Sequence, residues 1–203
     1  MFPVDLFAGP VFSLSILASV CAFMAQSLGF ILLPFYLLYG AGMTEWQMAL
    51  TVSVWPAATA IVAPILGRLS DRIPTGPVGG IGLGVLALGF VLVAGAGPET
   101  SSLSLSLRLT LCGIGFALFQ TPNNRLIMLS APRSRGAAAG ATLSLARQIG
   151  RAGGTAIAAL ALLQSPTPSL STLLIAAAVA GVGAVASFAR TVPVGPAHAN
   201  PNS

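Results

Sequence analysis

The 203-residue chain is 55% hydrophobic, only 6% charged, and has a mean hydropathy of +0.91. A soluble domain carries about a quarter of its residues as charges, so this composition excludes one and indicates a protein embedded in a lipid bilayer. The net charge of +5 comes from nine arginines and four acids. Because the arginines are scattered and no aromatic residues alternate with them, the basic excess does not indicate nucleic-acid binding.

Six apolar segments follow one another along the chain, and each is long enough to cross a bilayer, which takes about 20 helical residues. They cover residues 11–38, 46–66, 77–97, 104–128, 137–163 and 170–190. The turns that connect them are too short to hold a soluble domain. We therefore expect one all-α integral membrane unit over residues 1–190, followed by a disordered cytoplasmic tail over residues 191–203.

The charges of the turns differ between the two sides of this predicted bundle. One side has the acids Glu45 and Glu99 and no arginine in its turns. The other side carries six basic residues, namely Arg68, Arg72, Arg125, Arg133, Arg135 and Arg190. By the positive-inside rule, we expect both termini to lie in the cytoplasm and the protein to lie in the inner (plasma) membrane.

Polar side chains are distributed unevenly over the six segments. The first, second, fourth and fifth carry them at helical spacing, whereas the third and sixth are almost wholly apolar. Because polar groups in lipid are costly, the four polar helices are expected to line a cavity. The candidate cavity residues are Gln26, Phe30, Trp55, Phe116, Gln120, Asn123 and Asn124. The competing interpretation is that such side chains only hydrogen-bond neighbouring helices.

The order polar, polar, apolar occurs twice along the chain. It divides the chain into two units of three helices, which must run in opposite directions because three is an odd number. This predicts an inverted 3+3 repeat, the arrangement found within one half of many transporters.

Small residues predict where helices approach closely. Gly76, Gly80 and Gly84 repeat every four residues in the third segment, and Gly150 and Gly154 do so in the fifth, so these glycines are expected at helix contacts. The two cysteines and the single histidine lie at no metal-ligand spacing. Nothing resembles a nucleophile–base pair or a phosphate loop, so we expect no enzyme, no metal and no cofactor.

The turn after the second segment reads Gly67-Arg68-Leu69-Ser70-Asp71-Arg72 and resembles the G-x-L-x-D-R signature of the major facilitator superfamily. Residues 105–128 and 131–159 are similar to the carboxyl-terminal half of its fourteen-span multidrug proton-antiporter branch. After Arg72 the sequence continues Ile-Pro-Thr-Gly, where the amino-terminal copy of the signature has glycine and more basic residues. This departure favours the carboxyl-terminal half.

The resemblance implies twelve core helices in two halves, with substrate held between them and a proton gradient as the driving force. It also implies that Asp71 faces the amino end of a helix from the other half, with Arg68 and Arg72 completing a charge cluster. For the two arginines, ordinary positive-inside charges remain an equal alternative. The chain has no acid inside a predicted span, so the coupling carboxylates would lie in the other half.

The expected function is therefore that of the carboxyl-terminal half of a proton-coupled exporter, truncated or split, and inactive unless it pairs with an amino-terminal half or a second copy. The alternative is a small autonomous membrane protein that acts as a homodimeric carrier or an accessory subunit. Aromatic and amide side chains in the cavity would suit an amphipathic small molecule, with organic cations favoured through cation–π contacts.

Overall fold

The computed structural model describes residues 4–69, 75–97, 100–164 and 171–190. It contains six α-helices, α1 (Pro10–Phe35), α2 (Glu45–Leu69), α3 (Thr75–Ala94), α4 (Ser102–Ser130), α5 (Gly136–Gln164) and α6 (Ser171–Ala189). Short 3-10 helices cover Val4–Ala8 and Arg133–Arg135, and a π-helical turn over Tyr36–Gly40 continues α1. The predicted all-α architecture is confirmed. The tail over residues 191–203 lies outside the described residues.

Local signals in the sequence fix several helix ends. Pro10 begins α1, a position where its missing N–H and fixed φ are tolerated. At the start of α2, the Thr44 hydroxyl accepts a hydrogen bond from the Gln47 N–H at 3.3 Å, and Gln47 Oε1 accepts one from the Thr44 N–H at 3.1 Å. This reciprocal pair is a capping box. Ser101 caps α4 by accepting from the Ser104 N–H at 3.3 Å.

Among the described residues, five stretches are long and apolar enough to cross a membrane, namely Pro10–Gly40, Glu45–Leu69, Gly76–Ala94, Ser102–Ser130 and Thr172–Ala189. The helix outside this set is α5, which is 29 residues long but interrupts its apolar residues with polar ones such as Arg147 and Arg151. Its length is sufficient for a sixth crossing. Its composition requires part of its surface to face something other than lipid.

The helix contacts repeat in the two halves of the chain. Helix α1 packs against α5 and α6, while α4 packs against α2 and α3, and α3 also packs against α6. Exchanging α1 with α4, α2 with α5 and α3 with α6 reproduces the same set of contacts. This symmetry confirms the inverted 3+3 repeat that the order of polar and apolar segments predicts.

Glycines bring helix backbones close together at two of the interfaces that α4 forms. Between α3 and α4, a Cβ built on Gly82 would lie 2.5 Å from the Phe119 nitrogen, and one on Gly115 would lie 2.6 Å from the Leu86 nitrogen. Between α4 and α2, a Cβ on Gly113 would lie 2.5 Å from the Trp55 carbonyl oxygen. Such approaches exclude any side chain larger than hydrogen.

The glycines that were singled out by their four-residue spacing have different surroundings. Gly150 and Gly154 lie against the α1 backbone, where added Cβ atoms would meet the carbonyls of Val20 and Met24. Gly80 lies under the Phe188 ring of α6, and the Gly76 carbonyl accepts a hydrogen bond from Ser187 at 3.3 Å. Gly84 has open space around it, so it makes no close helix contact.

Candidate functional site

A pocket of about 310 Å³ lies between α1, α2, α4 and α5. Five of the seven candidate cavity residues line it: Gln26 and Phe30 from α1, Trp55 from α2, and Phe116 and Gln120 from α4. Helix α5 contributes Arg151, and no described residue of α3 or α6 reaches the lining. The four helices that carry polar side chains are thus the four that frame the pocket.

Aromatic rings build one wall of this pocket. The Phe30 and Trp55 ring centroids are 4.7 Å apart, and Trp55 meets Phe90 of α3 edge-on at 5.5 Å. Phe23 and Phe116 form a T-shaped pair at 5.3 Å. Edge-to-face and offset pairs of this kind stabilise a packed wall beyond the area that they bury.

The Trp55 indole is an exception to the usual pairing of buried polar groups. Its side chain is only 1% exposed, and none of the described residues accepts a hydrogen bond from Nε1. A buried donor without an acceptor costs about 1–3 kcal/mol. The pocket therefore has an unsatisfied donor in one of its lining residues.

Short polar side chains form hydrogen bonds between neighbouring helices on two sides of the pocket. Thr59 Oγ1 contacts the carbonyl oxygens of Trp55 and Gly113, each at 3.1 Å, which joins α2 to α4. Ser27 Oγ donates to the Arg151 carbonyl at 3.1 Å and lies 3.1 Å from Thr155 Oγ1, which joins α1 to α5. The role of these side chains is therefore to hydrogen-bond neighbouring helices to each other.

Two arginines of α5 stack on one ring of α1. The guanidinium carbons of Arg147 and Arg151 lie 5.3 and 5.2 Å from the Phe23 centroid, within cation–π range. Arg147 Nη2 also donates to Asn124 Oδ1 at 2.8 Å. Arg151 lies near the middle of α5 and its side chain is exposed, so it is the charged group available to the pocket.

The structure places Asn123 in a second polar cluster, away from the pocket lining. Its side chain is fully buried and Nδ2 donates to Ser19 Oγ at 2.8 Å. Arg190, which follows α6, donates to Asn123 Oδ1, to Ser15 Oγ at 2.7 Å and to Ser187 Oγ at 2.6 Å. We call these five residues the Arg190 cluster.

The environment of Arg190 differs from what its position in the sequence indicates. The sequence places it with the basic residues of the turns, yet its side chain is only 6% exposed. Burial lowers the pKa of its guanidinium to about 10, which still leaves it charged at pH 7. Hydrophobicity and spacing gave no signal for this burial, because the cluster draws on residues from three helices far apart in the chain.

The signature turn is only partly described. Gly67 and Arg68 lie in the last turn of α2, with Arg68 exposed, whereas Asp71 and Arg72 lie outside the described residues. The four acids of the chain are Asp5, Glu45, Asp71 and Glu99, and Glu45 is the first residue of α2. Among the described residues, no group of histidine, cysteine and acidic side chains could hold a metal ion.

An inverted repeat of six helices, with a pocket framed by the first two helices of each repeat, defines the class of protein: it is one half of a helical membrane transporter fold. A model of the Major Facilitator Superfamily matches residues 3–155, which is more than half of the chain. The chain belongs to the Major Facilitator Superfamily. It is therefore a multi-pass membrane protein of a transporter family rather than an enzyme.

Similar proteins include three named transporters or resistance proteins. Over 182 residues, 90% of this chain, it is 40% identical to the uncharacterized transporter YebQ of Escherichia coli, of which it covers 40%. It is 32% identical over 158 residues, 77% of this chain, to the multidrug resistance protein Stp of Mycobacterium tuberculosis, covering 29% of it. It is 26% identical over 142 residues, 70% of this chain, to the riboflavin transporter RibZ of Clostridioides difficile, covering 31%. The chain spans less than half the length of each of these relatives.

Proposed function

We propose that the chain forms one six-helix half of a transporter for amphipathic small organic molecules, and that the substrate binds at the pocket between α1, α2, α4 and α5. The observation that carries this proposal is the composition of the pocket. It combines an aromatic wall with two amides, Gln26 and Gln120, and it draws on the polar helices alone. Pockets that bind small ligands have this mixture of apolar surface and a few polar groups.

A second six-helix unit would complete the site. The lining residues Pro56, Ala60 and Arg151 are exposed, so the pocket opens to the outside of this bundle. Resemblance to the family implies that the substrate lies between two halves. We therefore propose that the face around Pro56 and Arg151 meets an amino-terminal-type half or a second copy of this chain.

Proton-coupled export, as in the carboxyl-terminal half of a multidrug antiporter, is the transport mode that we propose. It is supported by the resemblance to the multidrug proton-antiporter branch and by the similarity to a protein named multidrug resistance protein Stp. The chain has no acid inside a predicted span, so the carboxylate that exchanges the proton would lie in the partner half.

The proposed orientation places both termini in the cytoplasm. Arg68 near the end of α2, Arg125 in the last third of α4 and Arg135 just before α5 would then lie on the cytoplasmic side, and Glu45 on the opposite side. The test is labelling of single cysteines from outside intact cells with an impermeant maleimide. Thr44→Cys should react and Ser134→Cys should react only after permeabilisation; the reverse would contradict the orientation.

The function is tested by dye efflux from cells that express the chain alone or together with a separately expressed amino-terminal half of a major facilitator transporter. We expect efflux only with both, collapse of efflux by a protonophore, and loss of most activity in Gln120→Ala. Gln164→Ala is the matched control, because this glutamine is exposed at the end of α5 and outside the pocket. Equal effects of the two substitutions would contradict the proposed site. Efflux by the chain alone would favour a homodimeric carrier.

A further inference from the structure

We infer that the pocket takes an amphipathic organic anion, a carboxylate or sulfonate on an aromatic body, rather than an organic cation. This inference rests on the proposed function, in which the pocket is the substrate site. The aromatic residues alone favour a cation, whereas the arginine beside them favours an anion.

Arg151 is the charged residue of the pocket lining. It lines the pocket, its side chain is exposed, and it lies near the middle of a helix of 29 residues. Within the described part of the chain, no side chain forms an ion pair or hydrogen bond with its guanidinium, which has only the Phe23 ring as a neighbour of note. A charge at this depth in a membrane protein normally faces water, a partner or a substrate.

A second positive charge, that of Arg147, lies one helical turn from Arg151. Arg147 stacks on the same Phe23 ring at 5.3 Å, so two cations share one aromatic neighbour. Like charges four residues apart on a helix repel each other. Arg147 is supported by Asn124, a neutral partner that leaves the positive charge uncompensated. An anion in the pocket would reduce this repulsion, and a cation would add to it.

The described acids of the chain lie away from the pocket. Glu45 begins α2 and Asp5 lies in the 3-10 helix Val4–Ala8, whereas Asp71 and Glu99 are outside the described residues. Among the described residues, no acid lines the pocket. One of the lining rings, Phe23, is already engaged by two arginines. A cationic substrate would therefore meet the positive charge of Arg151 and no acidic side chain among the described residues that line the pocket.

The remaining lining fits the other end of such a molecule. Phe30, Trp55 and Phe116 offer an apolar aromatic surface, and Gln26 and Gln120 supply donors near it. The volume of about 310 Å³ suits a small fused-ring body.

The test uses two xanthene dyes of opposite charge, fluorescein and rhodamine 123. Each is titrated with the full chain in lipid nanodiscs, and binding is followed by fluorescence anisotropy with empty nanodiscs subtracted. We expect fluorescein to bind with a Kd about tenfold lower than that of rhodamine 123, the effect of one charge-assisted contact. Arg151→Gln should abolish this difference, and Arg151→Lys, which keeps the charge, should restore most of it.

The matched control is Arg108→Gln. This substitution removes the same charge from α4, at a position where the guanidinium donates to the Leu92 carbonyl and does not line the pocket. It should leave both Kd values within about twofold of those of the unaltered chain. A melting curve for each variant verifies that the bundle is folded.

Several results would overturn the inference: tighter or equal binding of rhodamine 123, fluorescein binding that Arg151→Gln leaves unchanged, or saturable binding of neither dye. The efflux assay separates this failure from failure of the proposed function. Efflux of the cation alone would keep the transport function and overturn the anion preference. Anion binding with the expected variant pattern, but no efflux of either dye, would keep the preference and contradict transport.

Discussion

The two sides of the bundle place an arginine side chain in opposite environments, one buried and one exposed. On the packed side, formed by α3, α6 and the helix faces that they cover, Arg190 is buried and donates to Ser15, Asn123 and Ser187. On the pocket side, formed by α2, α5 and the pocket, Arg151 is exposed and has a single aromatic neighbour. A polar residue whose partners all come from the protein stabilises the fold, whereas one without them remains available to a ligand.

The backbone packing follows the same division. Helices α3 and α4 approach so closely at Gly82 and Gly115 that backbone atoms of one helix fill the space of a Cβ on the other. On the pocket side, the lining residues Pro56 and Ala60 of α2 are exposed. We therefore expect substitutions on the packed side to lower the free energy of unfolding, and substitutions on the pocket side to weaken ligand binding.

The largest effect on stability is expected from Asn123→Ala. The substitution removes an acceptor from the buried Arg190 and a donor to Ser19, so the free energy of unfolding should fall by about 2–3 kcal/mol. Asn124→Ala is the matched control, because this neighbouring residue is half-buried and supports Arg147 on the pocket side. Its cost should stay below about 1 kcal/mol. Equal losses of unfolding free energy for the two variants in detergent-unfolding titrations would contradict the expected difference between the two sides.

A smaller effect is expected from Gly82→Ala. The added methyl would collide with the backbone of α4, which should cost about 1–2 kcal/mol. Gly84→Ala, two residues along the same helix, meets open space and should stabilise the helix by about 0.5 kcal/mol through better helix propensity. Opposite shifts in the unfolding midpoint of the two variants would verify the close approach, and shifts of the same sign would contradict it.

The smallest effect on stability is expected from Arg151→Gln. Because the side chain is exposed and forms no described ion pair, its unfolding free energy should change by no more than about 0.5 kcal/mol. The same variant should lose dye discrimination, so stability and binding would respond separately. A loss of stability as large as that of Asn123→Ala would assign Arg151 a structural role instead.

The fold could be predicted from the sequence because each helix is one apolar segment, and the polar content of these segments repeats in the two halves of the chain. The alternation of polar and apolar segments was enough to predict the inverted repeat and to separate α3 and α6 from the other four. It also gave five residues that line one pocket, since side chains at helical spacing must share a face. These are properties of single helices, which a single sequence contains.

Contacts between helices could not be predicted in the same way. Periodicity placed Asn123 on the same side as Gln120, but it could not show that Ser19 and Arg190 lie within reach of it. Four-residue spacing selected Gly84, which has open surroundings, and missed Gly82, which does not. Which glycine is needed depends on the helix opposite, and that information appears only when the helices are packed together.

Photolabelling tests most directly whether ligands bind on the pocket side. The full chain in lipid nanodiscs is labelled with an azido derivative of fluorescein, and the labelled peptides are mapped. We expect adducts with the azido-fluorescein probe in peptides containing Phe30, Trp55, Gln120 or Arg151, and we expect an excess of unmodified dye to prevent them. Protected adducts confined to peptides of α3 or α6 would contradict it.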